Sequence, residues 1–203
     1  MILVGRYQSP FVRRVAISLK LLGIPFENKS ISTINDRPGV TAHNPLGRVP
    51  ALVVDDSETL IESGFILDYL DEIVGPERAL VPAKGAARRQ VLRLVALGLG
   101  VMEKTIALYT EKTRRPPEAF HPPIFEQCRA QARDGLVALE TLAGSPWLAG
   151  DRLSQADVTL AAGISFMKIV APETLDGLAL PKIEAALARA EALPAFAETH
   201  PPA

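Results

Sequence analysis

The sequence predicts two domains, a small α/β unit over residues 1–82 and an all-α helical unit over residues 83–203. Three observations carry that expectation. Short strand-like runs alternate with helical runs in the first half. The stretch VGPERALVPAKG, Val74 to Gly85, then breaks the pattern with prolines and glycines, and beyond it the apolar periodicity is helical almost throughout.

In the first half ILVG, FENKSI, ALVV and ETLI read as strands, while FVRRVAISLKLLG reads as a helix stopped by Gly23. A second helix, SGFILDYLDEIV, is stopped by Gly75. Its spacing of Phe65, Ile66, Tyr69, Leu70 and Ile73 predicts one buried face, with Asp68, Asp71 and Glu72 towards water. In the second half, helices are expected near Ala86 to Lys112, Pro123 to Ala143, Ser154 to Val170 and Pro181 to Leu193. Pro116, Pro117, Pro122 and Pro123 separate the first two.

Composition excludes several function classes. With a net charge of −1, the nearest approaches to a basic run are the pairs Arg13-Arg14, Arg88-Arg89 and Arg114-Arg115, so nucleic acid and anionic lipid are not expected partners. VLRLVALGLGVM is too short, and too closely flanked by arginine, to span a bilayer. MILVGRYQSP lacks a charged leader followed by a long apolar run, which makes a cytoplasmic location the expectation. A single cysteine, Cys128, rules out an internal disulfide, and His43, His121 and His200 show no ligand spacing, so no metal is expected.

The candidate site residues sit at helix starts and turns. Ser9 precedes Pro10, a favoured N-cap before a favoured first helical residue. Ser63, after Glu62 and the run ETLI, reads as another N-cap. Pro50 follows Val49 at the start of an apolar strand, where it cannot donate to a ladder. Ser154 with Asp157 three residues later reads as a capping box, stapled by Leu153 and Val158, which makes Asp157 a folding residue.

The order SPFVRRVAISLKLLGIPFE, NPLGRVPALV, ESGFILDYLDE, a proline-containing linker and then GDRLSQADVTLA in a helical half resembles the cytosolic glutathione transferase family over nearly the whole chain. The serine before Pro-Phe resembles that of the serine-type tau and theta classes, in a short, bacterial-style member. The resemblance implies a glutathione transferase fold, with a thioredoxin-like glutathione-binding domain before the all-α domain. It also implies a homodimer and a detoxification role. Cysteine-type relatives carry a thiol where this chain has Ser9, which argues against disulfide exchange.

Glutathione has two carboxylates, one ammonium and a thiol whose reference pKa is ~8.5, so its site must satisfy each end and favour the thiolate. By resemblance, Ser9 is the catalytic residue and donates its hydroxyl hydrogen to sulfur. Val49 before Pro50 meets the cysteinyl backbone as an added strand would. Glu62 meets the γ-glutamyl ammonium, Ser63 the adjacent carboxylate, and Arg48 the glycyl carboxylate. An apolar electrophile is met by a pocket to which Phe11 and Tyr109 contribute.

Alternatives stand beside these roles. Ser9 is a cap, a donor to sulfur, or both, and Tyr7 is the rival hydroxyl. Arg48 reads equally as a solvated loop charge. Phe11 reads also as first-turn packing, and Cys128 as an inert half-buried thiol. The expected reaction is conjugation of glutathione thiolate to a small electrophile. A non-catalytic interaction protein of the same fold, or a glutathione-dependent isomerase, is the alternative.

Overall fold

The computed structural model describes residues 1–201, which fall into two compact units. Met1–Ala83 form the first unit together with the C-terminal stretch from Ala192, and Lys84–Glu191 form the second.

The first unit holds a four-stranded sheet in the order β2-β1-β3-β4, made of β1 (Ile2–Val4), β2 (Glu27–Lys29), β3 (Ala51–Val53) and β4 (Thr59–Ile61). Strand β1 pairs β2 in parallel, with Leu3 opposite Asn28, and pairs β3 antiparallel, with Leu3 opposite Leu52. The parallel pair needs a crossover, which helix α1 (Pro10–Leu21) supplies. Strands β3 and β4 form a hairpin. At its turn the Asp55 carboxylate accepts from the Ser57 and Glu58 backbone N–H groups at 2.8 and 3.1 Å.

Helix α3 (Ser63–Val74) shares its core with α1 and the sheet: Val12, Val15, Ala16 and Leu19 pack with Leu3, Leu52, Ile66, Leu67 and Leu70. The expected α3 face is corrected here. Phe65 is 73% exposed and Ile73 46%, whereas Leu67, absent from the expected face, is buried. Two apolar stripes overlap on this helix, and the one through Ile66, Leu67 and Leu70 meets the core. Asp71 is also drawn inward, its carboxylate accepting from the Leu80 and Val81 N–H groups at 2.8 and 3.0 Å.

A short helix α2 (Arg37–Thr41), which the apolar pattern does not predict, is capped by Asp36. The sequence places everything after residue 82 in the helical domain, yet α8 (Pro194–Ala197) sits in the first unit. The Arg13 guanidinium explains the return, since it donates to the Phe196 and Thr199 carbonyls at 3.1 and 3.2 Å.

The second unit is helical: α4 (Gly85–Thr113), α5 (Pro122–Leu142), α6 (Gln155–Val170) and α7 (Pro181–Glu191). Helix α6 is buried over nearly all its length from Gln155 to Met167, as expected of a central helix apolar all round. Glu111 near the end of α4 accepts from the His121 N–H at 2.8 Å, which joins α4 to the start of α5. No helix among the described residues is long and apolar enough to cross a membrane.

Candidate functional site

Gly5 follows strand β1 with φ +127°, and a Cβ there would lie 2.6 Å from Val12 Cγ2 and 2.9 Å from Val49 Cβ. Only glycine allows β1, the first turns of α1 and the Val49 loop to approach this closely. That approach gathers Val49 beside the α1 end of the sheet.

Ser9 is the N-cap of α1, extended at φ −72° and ψ 120°, with Pro10 in the first turn. Its carbonyl accepts from the Arg13 N–H at 2.9 Å, so the backbone performs the cap's role. The hydroxyl does not, because it makes no capping hydrogen bond. Tyr7, half-buried against the core, has its phenol pushed up from 10.0 by burial, with the Lys20 ammonium pulling the other way. Phe11 is half-buried in the first turn of α1.

The loop before β3 is shaped by Asn44, a buried side chain that the sequence reading passed over. Its amide donates to the Arg48 carbonyl at 2.9 Å and accepts from the Leu46 N–H at 3.0 Å. The Val49-Pro50 peptide bond is cis, and so is Ser145-Pro146 in the second unit. Neither the N–H nor the C=O of Val49 bonds to a described residue, so this backbone edge is open. Arg48 is exposed, and no hydrogen bond or ion pair to a described residue holds its guanidinium.

At the head of α3 the cap lies one residue earlier than expected. Glu62, not Ser63, is the N-cap, and it holds φ 70° and ψ 119°. It is the only non-glycine residue with positive φ among the described residues, a conformation that costs on the order of 1–3 kcal/mol and persists only where its surroundings enforce it. Ser63 is 1% exposed and donates its hydroxyl to Glu62 Oε1 at 3.2 Å, while the Gly64 N–H reaches the same oxygen at 3.5 Å. An exposed carboxylate thus stands beside a helix N-terminus, which favours an anion.

Tyr109 belongs to the second unit, on α4, where it meets Phe166 edge-on at 6.1 Å and lies under the Arg114 guanidinium at 5.4 Å. Cys128 is half-buried on α5. Among the described residues, no three His, Cys, Asp or Glu side chains come together to hold a metal ion.

Residues 3–78 match the family described as Glutathione S-transferase, N-terminal domain. The whole chain is similar to the uncharacterized GST-like protein YibF of Escherichia coli (strain K12), 31% identical over 203 residues that cover 98% of each. The chain belongs to the glutathione transferase family. This glutathione transferase family member is also 34% identical over 211 residues to the maleylacetoacetate isomerase of Pseudomonas aeruginosa (strain PAO1), covering 96% of this chain and 93% of that one. Among solved structures it is similar to a glutathione S-transferase of Methylobacterium radiotolerans, in complex with glutathione sulfonate. The TM-score is 0.91 at 26% identity, covering 100% of this chain and 95% of that one. The glutathione transferase fold anticipated from the sequence is therefore the fold observed.

Proposed function

We propose that this glutathione transferase binds glutathione on its first unit and conjugates the thiolate to a small, apolar electrophile. The observation that carries the reading is the Ser9 hydroxyl, at the head of α1 and uncommitted to the cap. A hydroxyl and a helix N-terminus at one point both favour an anion, here the thiolate over the thiol. The open Val49 edge would take the cysteinyl backbone, Glu62 the γ-glutamyl ammonium, Ser63 the neighbouring carboxylate and Arg48 the glycyl carboxylate. Phe11 is proposed as an apolar contact for the electrophile.

In the reaction, glutathione loses its thiol proton, the sulfur lone pair forms a bond to the electrophilic carbon, and a leaving group departs with the electrons of its own bond. Where the electrophile is an activated alkene, the product is protonated instead. The protein is proposed to act as a cytoplasmic homodimer, as the family resemblance implies, and light scattering at micromolar concentration tests the dimer.

The similarity to a maleylacetoacetate isomerase favours a second reading, a glutathione-dependent isomerase. Thiol accounting separates the two. Conjugation consumes one glutathione per product, whereas isomerisation adds the thiolate to a cis alkene and expels it again, leaving glutathione unchanged. Calorimetric titration with glutathione, followed by assays on halogenated aromatics, activated alkenes and cis enediones, is expected to show binding and stoichiometric thiol loss. Absence of glutathione binding would leave only the interaction-protein alternative.

A further inference from the structure

Helix α1 carries two consecutive arginines, Arg13 and Arg14, each 1% exposed. Their partners differ. Arg13 spends its guanidinium on the carbonyls of Phe196 and Thr199. Arg14 has two buried N–H groups, at Nε and Nη1, with no hydrogen-bond partner. Arginine is almost never fully buried without a partner, and an uncompensated buried ion costs several kcal/mol.

Burial accordingly lowers the Arg14 guanidinium to about 10, and the charge that opposes this is the Glu62 carboxylate. No ion pair closes between the two. Glu62 is itself the one non-glycine residue held at positive φ among the described residues. Two departures from ordinary protein structure, a buried cation with unpartnered N–H groups on α1 and a cap residue at positive φ on α3, thus belong to two helices that share one core. Ser63, buried between the strand and the helix it starts, ties the Glu62 carboxylate in place.

The charge balance at this place suggests a use. An α-amino-acid end brings one ammonium and one carboxylate. Set beside Glu62 it makes two negative groups and one positive, a surplus that the α3 N-terminus offsets only in part. Arg14, buried with two unpartnered N–H groups, is a positive charge that could make up the difference, and the low polarisability around it lengthens its reach.

We infer that Arg14 is the buried counter-charge for the carboxylate of the γ-glutamyl end held at Glu62 and Ser63. It is a positioning residue, acting through the head of α3 without touching the ligand. The inference rests on the glutathione reading and says which half of the amino-acid end the buried charge selects.

Calorimetric titration of wild type, Arg14→Met and Arg14→Lys with two ligands tests it. The ligands are glutathione and its analogue γ-aminobutyryl-cysteinyl-glycine, which keeps the ammonium and lacks the α-carboxylate. Wild type is expected to prefer glutathione. Arg14→Met is expected to lose glutathione affinity on the order of tenfold, about 1.4 kcal/mol, with little change for the analogue, and Arg14→Lys to recover part of the loss. Equal weakening of both ligands by Arg14→Met would make the residue merely structural and overturn the inference. So would equal affinity of wild type for the two ligands, a result that needs no variant and stands even if Arg14→Met fails to fold. Wild type that binds neither ligand refutes instead the glutathione reading on which the inference stands.

Discussion

The heads of α1 and α6 are built from the same part and use it differently. Each helix starts behind a serine in extended conformation, Ser9 at φ −72° and Ser154 at φ −137°. At Ser154 every polar group is engaged: the hydroxyl accepts from the Ala156 N–H at 3.3 Å and donates to Asp157 Oδ2 at 3.0 Å. Asp157 in turn accepts from the Ser154 and Leu148 N–H groups at 2.9 and 2.8 Å. At Ser9 the backbone starts the helix alone and the hydroxyl makes no cap. A serine oxygen has few hydrogen bonds to give, so one committed to folding is not available to a ligand. The comparison thus gives Ser154 a folding role and leaves the Ser9 hydroxyl available for the chemical role proposed for it.

The sharpest way to break that division is Asp157→Ala. The variant removes a cap and leaves the buried N–H of Leu148 unsatisfied, so it is expected to lose about 3 kcal/mol of unfolding free energy in urea. Glutathione affinity of the folded variant is expected to stay within twofold of wild type. Large loss of affinity at unchanged stability would move α6 into the site. The pH dependence adds a signature. Burial pushes the Asp157 carboxyl above its ordinary 3.8, against hydrogen bonds that pull it down. The folded chain therefore holds this proton more tightly than the unfolded chain. The group's protonation-linked stability is full below pH 3.8 and is lost as pH rises through the higher folded value. The stability gap between wild type and Asp157→Ala is expected to narrow across that window as pH climbs.

Ser9→Ala is expected to act on chemistry instead. With glutathione bound, ultraviolet titration of the thiolate is expected to shift upward by about one pH unit, 1.36 kcal/mol, the scale of one hydrogen bond to a charged acceptor. Turnover falls more than affinity, because Val49, Glu62 and Ser63 would still hold the rest of the tripeptide. The urea midpoint is expected to stay put. A variant that melts early and titrates like wild type would return Ser9 to the role of a cap.

The folding counterpart, Ser154→Ala, is expected to cost about 1 kcal/mol in the same urea experiment and to leave the thiolate titration unmoved. Its smaller effect than Asp157→Ala follows from the structure: losing the hydroxyl leaves both carboxylate bonds to backbone N–H groups intact.

How much of this was legible in the sequence follows from how local each feature is. The strands, α1 and the long helices announce themselves because their apolar period repeats over several turns. Helix α2 does not, because RPGVT is five residues with a proline and a glycine. The face of α3 was misplaced because two stripes at similar spacing compete on twelve residues, and only tertiary packing chooses between them. The capping box at Ser154 and Asp157 was legible since its members are three residues apart. Glu62 as the cap was not, because its positive φ is imposed by the chain around it. In the sequence Arg14 is only half of the pair Arg13-Arg14. Nothing in the letters Arg-Arg distinguishes the buried cation with carbonyl partners from the one without, since those partners lie some 180 residues further along the chain.

The smallest expected effect tests the rival hydroxyl on the same stretch. Tyr7 is half-buried, and that burial makes its phenol harder to ionise, so any help it gave to sulfur would have to come as a neutral donor. Ser9 already stands at the helix N-terminus with an uncommitted oxygen, where the helix dipole adds to whatever it donates. Tyr7 lies two residues before it, packed against the core of the first unit. Tyr7→Phe keeps the ring and its packing, so stability is expected to change by less than about 0.5 kcal/mol. The thiolate titration is expected to stay within roughly 0.2 pH unit of wild type, well inside the one-unit shift set by the hydrogen-bond scale above. A full-unit shift in Tyr7→Phe, with none in Ser9→Ala, would hand the sulfur to the tyrosine. The contrast between Ser9 and Ser154 would then mark only a cap made and a cap left open.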